Sequence, residues 1–161
     1  MSKPLILVTN DDGITARGIG HLVAVMKELG DVLVVAPNGP QSGMGHAITV
    51  GDTLRLKESK IYEGVRAFEC SGTPADCVKM ARHYVLKDQR QPDVVVSGIN
   101  HGSNTSISVL YSGTMSAAIE AAIEGGPSIG FSLCYYSSDA DFSDALPYVK
   151  KITEQVIRKG M

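Results

Sequence analysis

The sequence predicts an α/β fold built on a mainly parallel central sheet. Three short apolar runs predict it: Leu5-Ile6-Leu7-Val8, Val32-Leu33-Val34-Val35-Ala36 and Val94-Val95-Val96. None alternates with polar residues, so each suits a strand covered on both faces. Between the first two, Ile19, Leu22, Val23, Met26 and Leu29 recur at helical spacing up to Gly30. Strand, helix and strand then make a parallel unit with a right-handed crossover. The arrangement expected is three-layered and Rossmann-like, with helices on both faces of the sheet.

Size and composition set the bounds. The 161 residues make one domain, 1–161, with 43% hydrophobic and 20% charged residues, which is ordinary globular composition. Net charge is −2 and no basic run is present, so polymeric nucleic acid is set aside as a partner. No apolar segment has signal-peptide or membrane length, and the expectation is a cytoplasmic protein with no membrane partner. Cys70, Cys77 and Cys134 are odd in number and lack paired CxxC spacing, so neither a disulfide framework nor a zinc site is indicated.

The first strand empties into Thr9-Asn10-Asp11-Asp12-Gly13. In open parallel sheets ligands sit beyond the carboxyl ends of the strands, where these residues fall. Adjacent carboxylates repel each other unless a cation joins them, and Gly13 lets the chain turn sharply. Helix capping is the alternative reading of Asp11 and Asp12. The second strand empties at the same edge into Pro37 to His46, rich in glycine and proline. Ser42 is a candidate neutral oxygen ligand there, and His46 a candidate acid or base for which a structural role is the better reading.

Ile48-Thr49-Val50 and Leu54-Arg55-Leu56-Lys57 alternate across Gly51-Asp52, predicting a small β-hairpin excursion. A short strand over Val65 to Cys70 leads into Thr73-Pro74-Ala75-Asp76, a helix start that turns Cys77, Val78, Ala81 and Val85 inward. The third buried strand, Asp93 to Ser97, opens into the polar loop Gly98 to Thr105. Asn100 there offers an amide oxygen toward Asp11 and Asp12, whereas His101 points the other way on an extended chain and ranks lower. Ser112-Gly113-Thr114 leads into a helix from about Met115 to Glu124, and backbone amides and hydroxyls at such a start can cradle a phosphate. A strand over Gly126 to Leu133 and a helix marked by Ala145, Val149, Ile152 and Val156 complete the chain.

Three strand ends thus deliver Asp11, Asp12, Ser42 and Asn100 to one edge. All are oxygen donors, which suits Mg²⁺ or Mn²⁺ rather than Zn²⁺. The chemistry that fits is metal-assisted attack of water on a phosphate ester, with Asp11 orienting or deprotonating the water.

Val8 to Gly13, Ala36-Pro37 with Gln41-Ser42-Gly43, Ser71 to Asp76, Ser97 to Asn104 and Tyr111 to Thr114 together resemble the SurE family, in order along nearly the whole chain. The resemblance implies a metal-dependent phosphatase acting on nucleoside 5′- and 3′-monophosphates, with short polyphosphate as a further substrate of some members. It implies one divalent cation, Mg or Mn, held by Asp11, Asp12, Ser42 and Asn100, with Asp11 and Asp12 as the catalytic pair. Phosphate contacts are implied for Asn104, Ser112, Gly113 and Thr114, and Asn10 is counted with them. A homodimer or homotetramer is implied as well. Family members continue beyond the last helix with a further strand and an extended arm exchanged between subunits; that segment is expected to be missing from this sequence, and the implied oligomer depends on it.

Other readings fit less well. A haloacid-dehalogenase-like phosphatase needs its two aspartates separated by one residue, and Asn10 stands two before Asp12. A dinucleotide-binding dehydrogenase needs Gly-x-Gly-x-x-Gly where the chain has Asn-Asp-Asp-Gly. The runner-up is a metal- or nucleotide-binding regulatory module without turnover.

Overall fold

The computed structural model describes residues 3–137 and 139–159. A six-stranded sheet runs through its middle, built from β1 (Leu5–Thr9), β2 (Asp31–Pro37), β3 (Leu56–Ser59), β4 (Arg66–Cys70), β5 (Val94–His101) and β6 (Ser128–Leu133). Their spatial order is β3-β4-β2-β1-β5-β6, with every neighbouring pair parallel except β3 and β4. β1 therefore lies between β2 and β5, the positions that deliver its end, the Ser42 loop and Asn100 side by side.

The helices are α1 (Arg17–Leu29), α2 (Pro74–Met80), α3 (Gly113–Ile123) and α4 (Leu146–Lys159). Successive residues of a strand face opposite ways, and the apolar runs divide accordingly. Ile6, Val8, Val34, Val94 and Val96 pack with Ile19, Leu22 and Met26 of α1, with Phe142 just before α4 and with Val149 of α4. Leu7, Leu33, Val35 and Val95 pack with Cys77 and Val78 of α2 and with Ala117 and Ala121 of α3. That division makes three layers. Cys70 and Cys77 are buried among the apolar residues of the second face, while Cys134 is exposed.

α2 begins as expected. The Thr73 hydroxyl accepts the Asp76 amide at 3.1 Å and the Asp76 carboxylate accepts the Thr73 amide at 2.9 Å, a closed capping box. The hairpin is displaced from its expected place. Residues 48–50 form no strand, and β3 pairs antiparallel with β4 from Leu56–Cys70 to Ser59–Ala67. The amide of Thr49 goes to the Asp76 carboxylate instead of to a neighbouring strand, at 3.1 Å from each oxygen. Ile48 and Val50 alternate without a buried face, being 50% and 86% exposed.

β5 runs further than the apolar run suggests, to His101, because β6 continues to pair with it beyond a register shift between Ser97 and Asn100. Among the described residues no helix is long and apolar enough to cross a membrane.

Candidate active site

A cleft of about 250 Å³ opens where β1, β2 and β5 end and α3 begins. Asp11, Ser42, Asn100, Asn104 and Ser112 line it, as do six residues outside the expected set: Gly43, His101, Ser103, Ser108, Tyr111 and Tyr136. A larger hollow of about 370 Å³ near the β3–β4 turn contains none of the strand-end donors.

Backbone bonds set the floor of the cleft. The Gln41 amide donates to the Asp11 carbonyl at 2.7 Å and the Ile14 amide to the Pro37 carbonyl at 2.9 Å, which stitches the loop after β2 to the loop after β1. Ser42 is thereby carried beside Asp11. Gly13, at φ +97°, makes the turn that allows this. His46 holds the far side of the same loop, its Nε2 lying 2.7 Å from the buried Glu120 carboxylate of α3. His46 thus has a structural partner, and it is not among the residues that line the cleft. Glu120 also meets Lys79 of α2 at 2.6 Å, so the loop is tied to two helices at once.

Asp11 is 5% exposed and held from α3. Thr114, fully buried, donates its hydroxyl to Asp11 Oδ1 at 2.5 Å. A Cβ on Gly113 would lie 2.6 Å from the Asp11 Cβ, so only glycine lets the helix start come this close. Ser112 caps α3 by accepting the Met115 amide at 3.0 Å. The amides of Gly113 and Thr114 have no acceptor within the helix, because the first turn of an α-helix has none to offer. Asp12 is half-buried and stands next to the cleft lining. Burial first, and then the Asp11 charge, push its carboxyl up, while His101 partly offsets them.

Asn100 and His101 both reach the cleft, which corrects the expectation that His101 faces away. Both occupy the last two positions of β5, beyond the register shift between Ser97 and Asn100, where the strand opens into the loop that rims the cleft, so facing away from Asn100 does not take His101 out of it. The Asn100 amide donates to the carbonyls of His101 and Gly102 at 3.0 and 3.1 Å, which leaves its oxygen as the free polar end. His101 stacks on Phe142 with ring centroids 5.2 Å apart. Asn104 donates to the Ser132 hydroxyl at 2.9 Å. Asn10 is buried, its nitrogen donating to the Gly13 carbonyl at 2.9 Å and its Oδ1 without a partner.

The donor set fits a hard divalent cation. Two adjacent carboxylates, one of them pushed toward protonation by burial and then by its neighbour, together with a buried orphan oxygen on Asn10, call for positive charge at the end of β1. Asp11, Asp12, Ser42 and Asn100 would hold it. Among the described residues no group of three or more His, Cys, Asp or Glu side chains is placed to hold a metal ion by itself, so the neutral oxygens would have to share the work.

Of the residues missed, Ser103 and Tyr111 lie inside polar motifs already singled out. Tyr136 follows β6 in a stretch with no periodic or motif signal, and only the folded chain brings it to the site.

The sequence matches the family described as "Survival protein SurE" over residues 6–161. It is similar to the "5'-nucleotidase SurE" of Cytophaga hutchinsonii, 68% identical over 161 residues, which span 100% of this chain and 62% of that protein. A protein of the same description from Christiangramia forsetii is 63% identical over 161 residues, covering 99% of this chain and 61% of the relative. The fold is similar to the crystal structure of the SurE protein from Aquifex aeolicus, with a TM-score of 0.86 at 38% identity, over 98% of this chain and 62% of that one. The chain thus spans about three fifths of the length of the relatives it matches.

Proposed function

The chain belongs to the SurE family, and on that premise we propose that it is a metal-dependent phosphoric monoester hydrolase that converts nucleoside 5′-monophosphates to nucleoside and phosphate. The observation that carries the proposal is the meeting of Asp11, Ser42 and Asn100 in one cleft at the start of α3, with Asp12 beside them. Activity on 3′-monophosphates and short polyphosphate, a cytoplasmic setting, and assembly as a homodimer or homotetramer belong to the same proposal. They rest on the family resemblance alone.

A bound Mg²⁺ or Mn²⁺ supplies positive charge that offsets the phosphoryl oxygens and eases ionisation of water. The residues of the chain do the rest. Asp11, Asp12, Ser42 and Asn100 hold the cation. Asp11, with one oxygen also held by Thr114, would orient the attacking water or take up its proton, and the departing nucleoside oxygen would be protonated in turn by that carboxyl or by solvent water. The amides of Gly113 and Thr114, the Ser112 hydroxyl and Asn104 receive the phosphate oxygens, where the helix amino end favours negative charge. Asn10, with its nitrogen engaged by Gly13, contributes by shaping the turn.

The test is phosphate release from a panel of nucleoside 5′- and 3′-monophosphates with Mn²⁺, with Mg²⁺ and with chelator. Release that needs the metal and disappears in Asp12→Asn and Asp11→Asn is the expected result. Full activity in either variant would sink the assignment. Metal binding without any release would favour the regulatory module.

A further inference from the structure

We propose that Tyr136 and Tyr111 form the platform on which the nucleobase rests, and so set the preference for nucleotides over base-free phosphate esters; this rests on the nucleotidase reading. Both rings line the same cleft as Asp11, Ser42 and Asn100. Both are also largely exposed, Tyr136 at 79% and Tyr111 at 63%. Exposed aromatic rings at the mouth of a polar cleft offer what a planar heterocycle needs, a flat apolar surface with a polar edge.

Tyr136 is exposed yet fixed. Its hydroxyl accepts the Ser103 amide at 3.2 Å, and its ring packs against Gly102, where a Cβ would come within 2.1 Å of it. The chain leading to it is held by the Tyr135 amide, which donates to the Leu133 carbonyl at 2.7 Å. A ring already held loses little freedom when a ligand covers it. Tyr111 is tied to the metal-side loop, since its carbonyl accepts the Gly45 amide at 3.2 Å. A base resting on these rings is therefore placed relative to Ser42 and Asp11 by the backbone itself.

The rest of the lining points the same way. Beyond Asp11 and His101 it consists of hydroxyl, amide and glycine groups, from Ser42, Ser103, Ser108 and Asn104 among others, with no Lys or Arg. Such a surface suits ribose hydroxyls and a neutral base better than a second anionic group.

The experiment compares AMP with ribose 5-phosphate, which presents the same ester without a base, in the parent chain and in Tyr136→Ser, Tyr136→Phe and Tyr111→Ser. Stacking of one base on an aromatic side chain is worth roughly a tenfold effect or more. The expected result is a fall of about tenfold in kcat/KM for AMP in each Ser variant, with ribose 5-phosphate unchanged and Tyr136→Phe restoring most of the loss. Adenosine binding by equilibrium dialysis should weaken in parallel. Equal losses for both esters, or no change for AMP, would overturn the platform while leaving the nucleotidase reading intact. No release from any ester, with adenosine binding still dependent on Tyr136, would sink the nucleotidase reading and keep the platform. Because Tyr136 is mostly exposed, urea midpoints of its variants should match the parent, which separates these outcomes from misfolding.

Discussion

Thr114 shows how much of the site depends on one hydroxyl. It is fully buried, and its donor goes to Asp11 Oδ1 at 2.5 Å across 103 residues of sequence. Groups that orient a ligating side chain typically matter to metal affinity by about 10- to 100-fold. Thr114→Val keeps the shape and removes the donor, so Mn²⁺ affinity measured calorimetrically should fall about tenfold or more, and Thr114→Ser should restore it. If Thr114→Val bound Mn²⁺ as the parent does, the hydroxyl would be structural only. Ser42→Ala should weaken the metal less than Asp12→Asn, since water can replace one neutral ligand. Asp12→Asn carries a second consequence. Burial and Asp11 raise the carboxyl in the folded state, so its ionisation opposes folding once the pH passes the ordinary aspartate range. The metal-free variant should therefore unfold at a higher urea concentration than the parent at pH 8. The positions of Asp11, Asp12 and Ser42 at the sheet edge were legible because each follows a strand that announces its own end, and that of Asn100 because the apolar run before it stops at Val96, although β5 itself carries it. Thr114 was legible only as part of a helix start, since no local pattern tells where a hydroxyl finds its partner.

At the scale of elements, α2 does more than support the sheet. Asp76, 2% exposed, closes the capping box and also accepts the Thr49 amide and hydroxyl, the latter at 2.6 Å. Thr73 completes the junction by donating to the Ala47 carbonyl at 2.7 Å. One carboxylate thus anchors both a helix start and the far end of the loop that carries Ser42. Asp76→Ala leaves these buried donors unpaired, and a loss of about 3 kcal/mol in urea unfolding is expected from a capping term and the unsatisfied groups together. A loss below about 0.5 kcal/mol, the range of ordinary surface substitutions, would show that the loop is held elsewhere. The capping box was readable from Thr73 and Asp76 at their spacing. The bond to Thr49 was not, because alternating Ile48 and Val50 suggest a strand whatever their amides do. A period of two tells which residues could share a face; it does not tell whether a face exists to be buried.

The whole molecule was legible where composition and burial coincide. Unalternating runs such as Leu5 to Val8 could only be strands buried on both sides, and they are divided between the α1 face and the α2–α3 face. Polar groups that link distant parts were hidden, and they govern the response of the fold to pH. Burial raises the Glu124 carboxyl at the end of α3, but the hydrogen bonds of Lys79 at 3.0 Å and His83 at 2.8 Å outweigh it and hold it below the usual range. Its contribution is therefore present above the ordinary glutamate range, about pH 4.3, and is lost as the pH falls through the lowered value. Tyr62 acts at the other end of the scale. Burial pushes its phenol up to about 12, and its hydroxyl donates to the Ile14 carbonyl at 2.7 Å, joining the β3–β4 turn to the loop after β1. The protonated form is the one folding favours, so its contribution is intact below about pH 10, the ordinary tyrosine value, and disappears as the pH climbs through the raised one. Urea midpoints across pH should then show an acid limb that is shallower in Glu124→Gln and an alkaline limb that is shallower in Tyr62→Phe. Each substitution should leave the opposite limb unchanged, since the two groups have no partner in common. An alkaline limb of the same slope in Tyr62→Phe would mean that another group controls unfolding there, and that the link from hairpin to site loop is not what fails first.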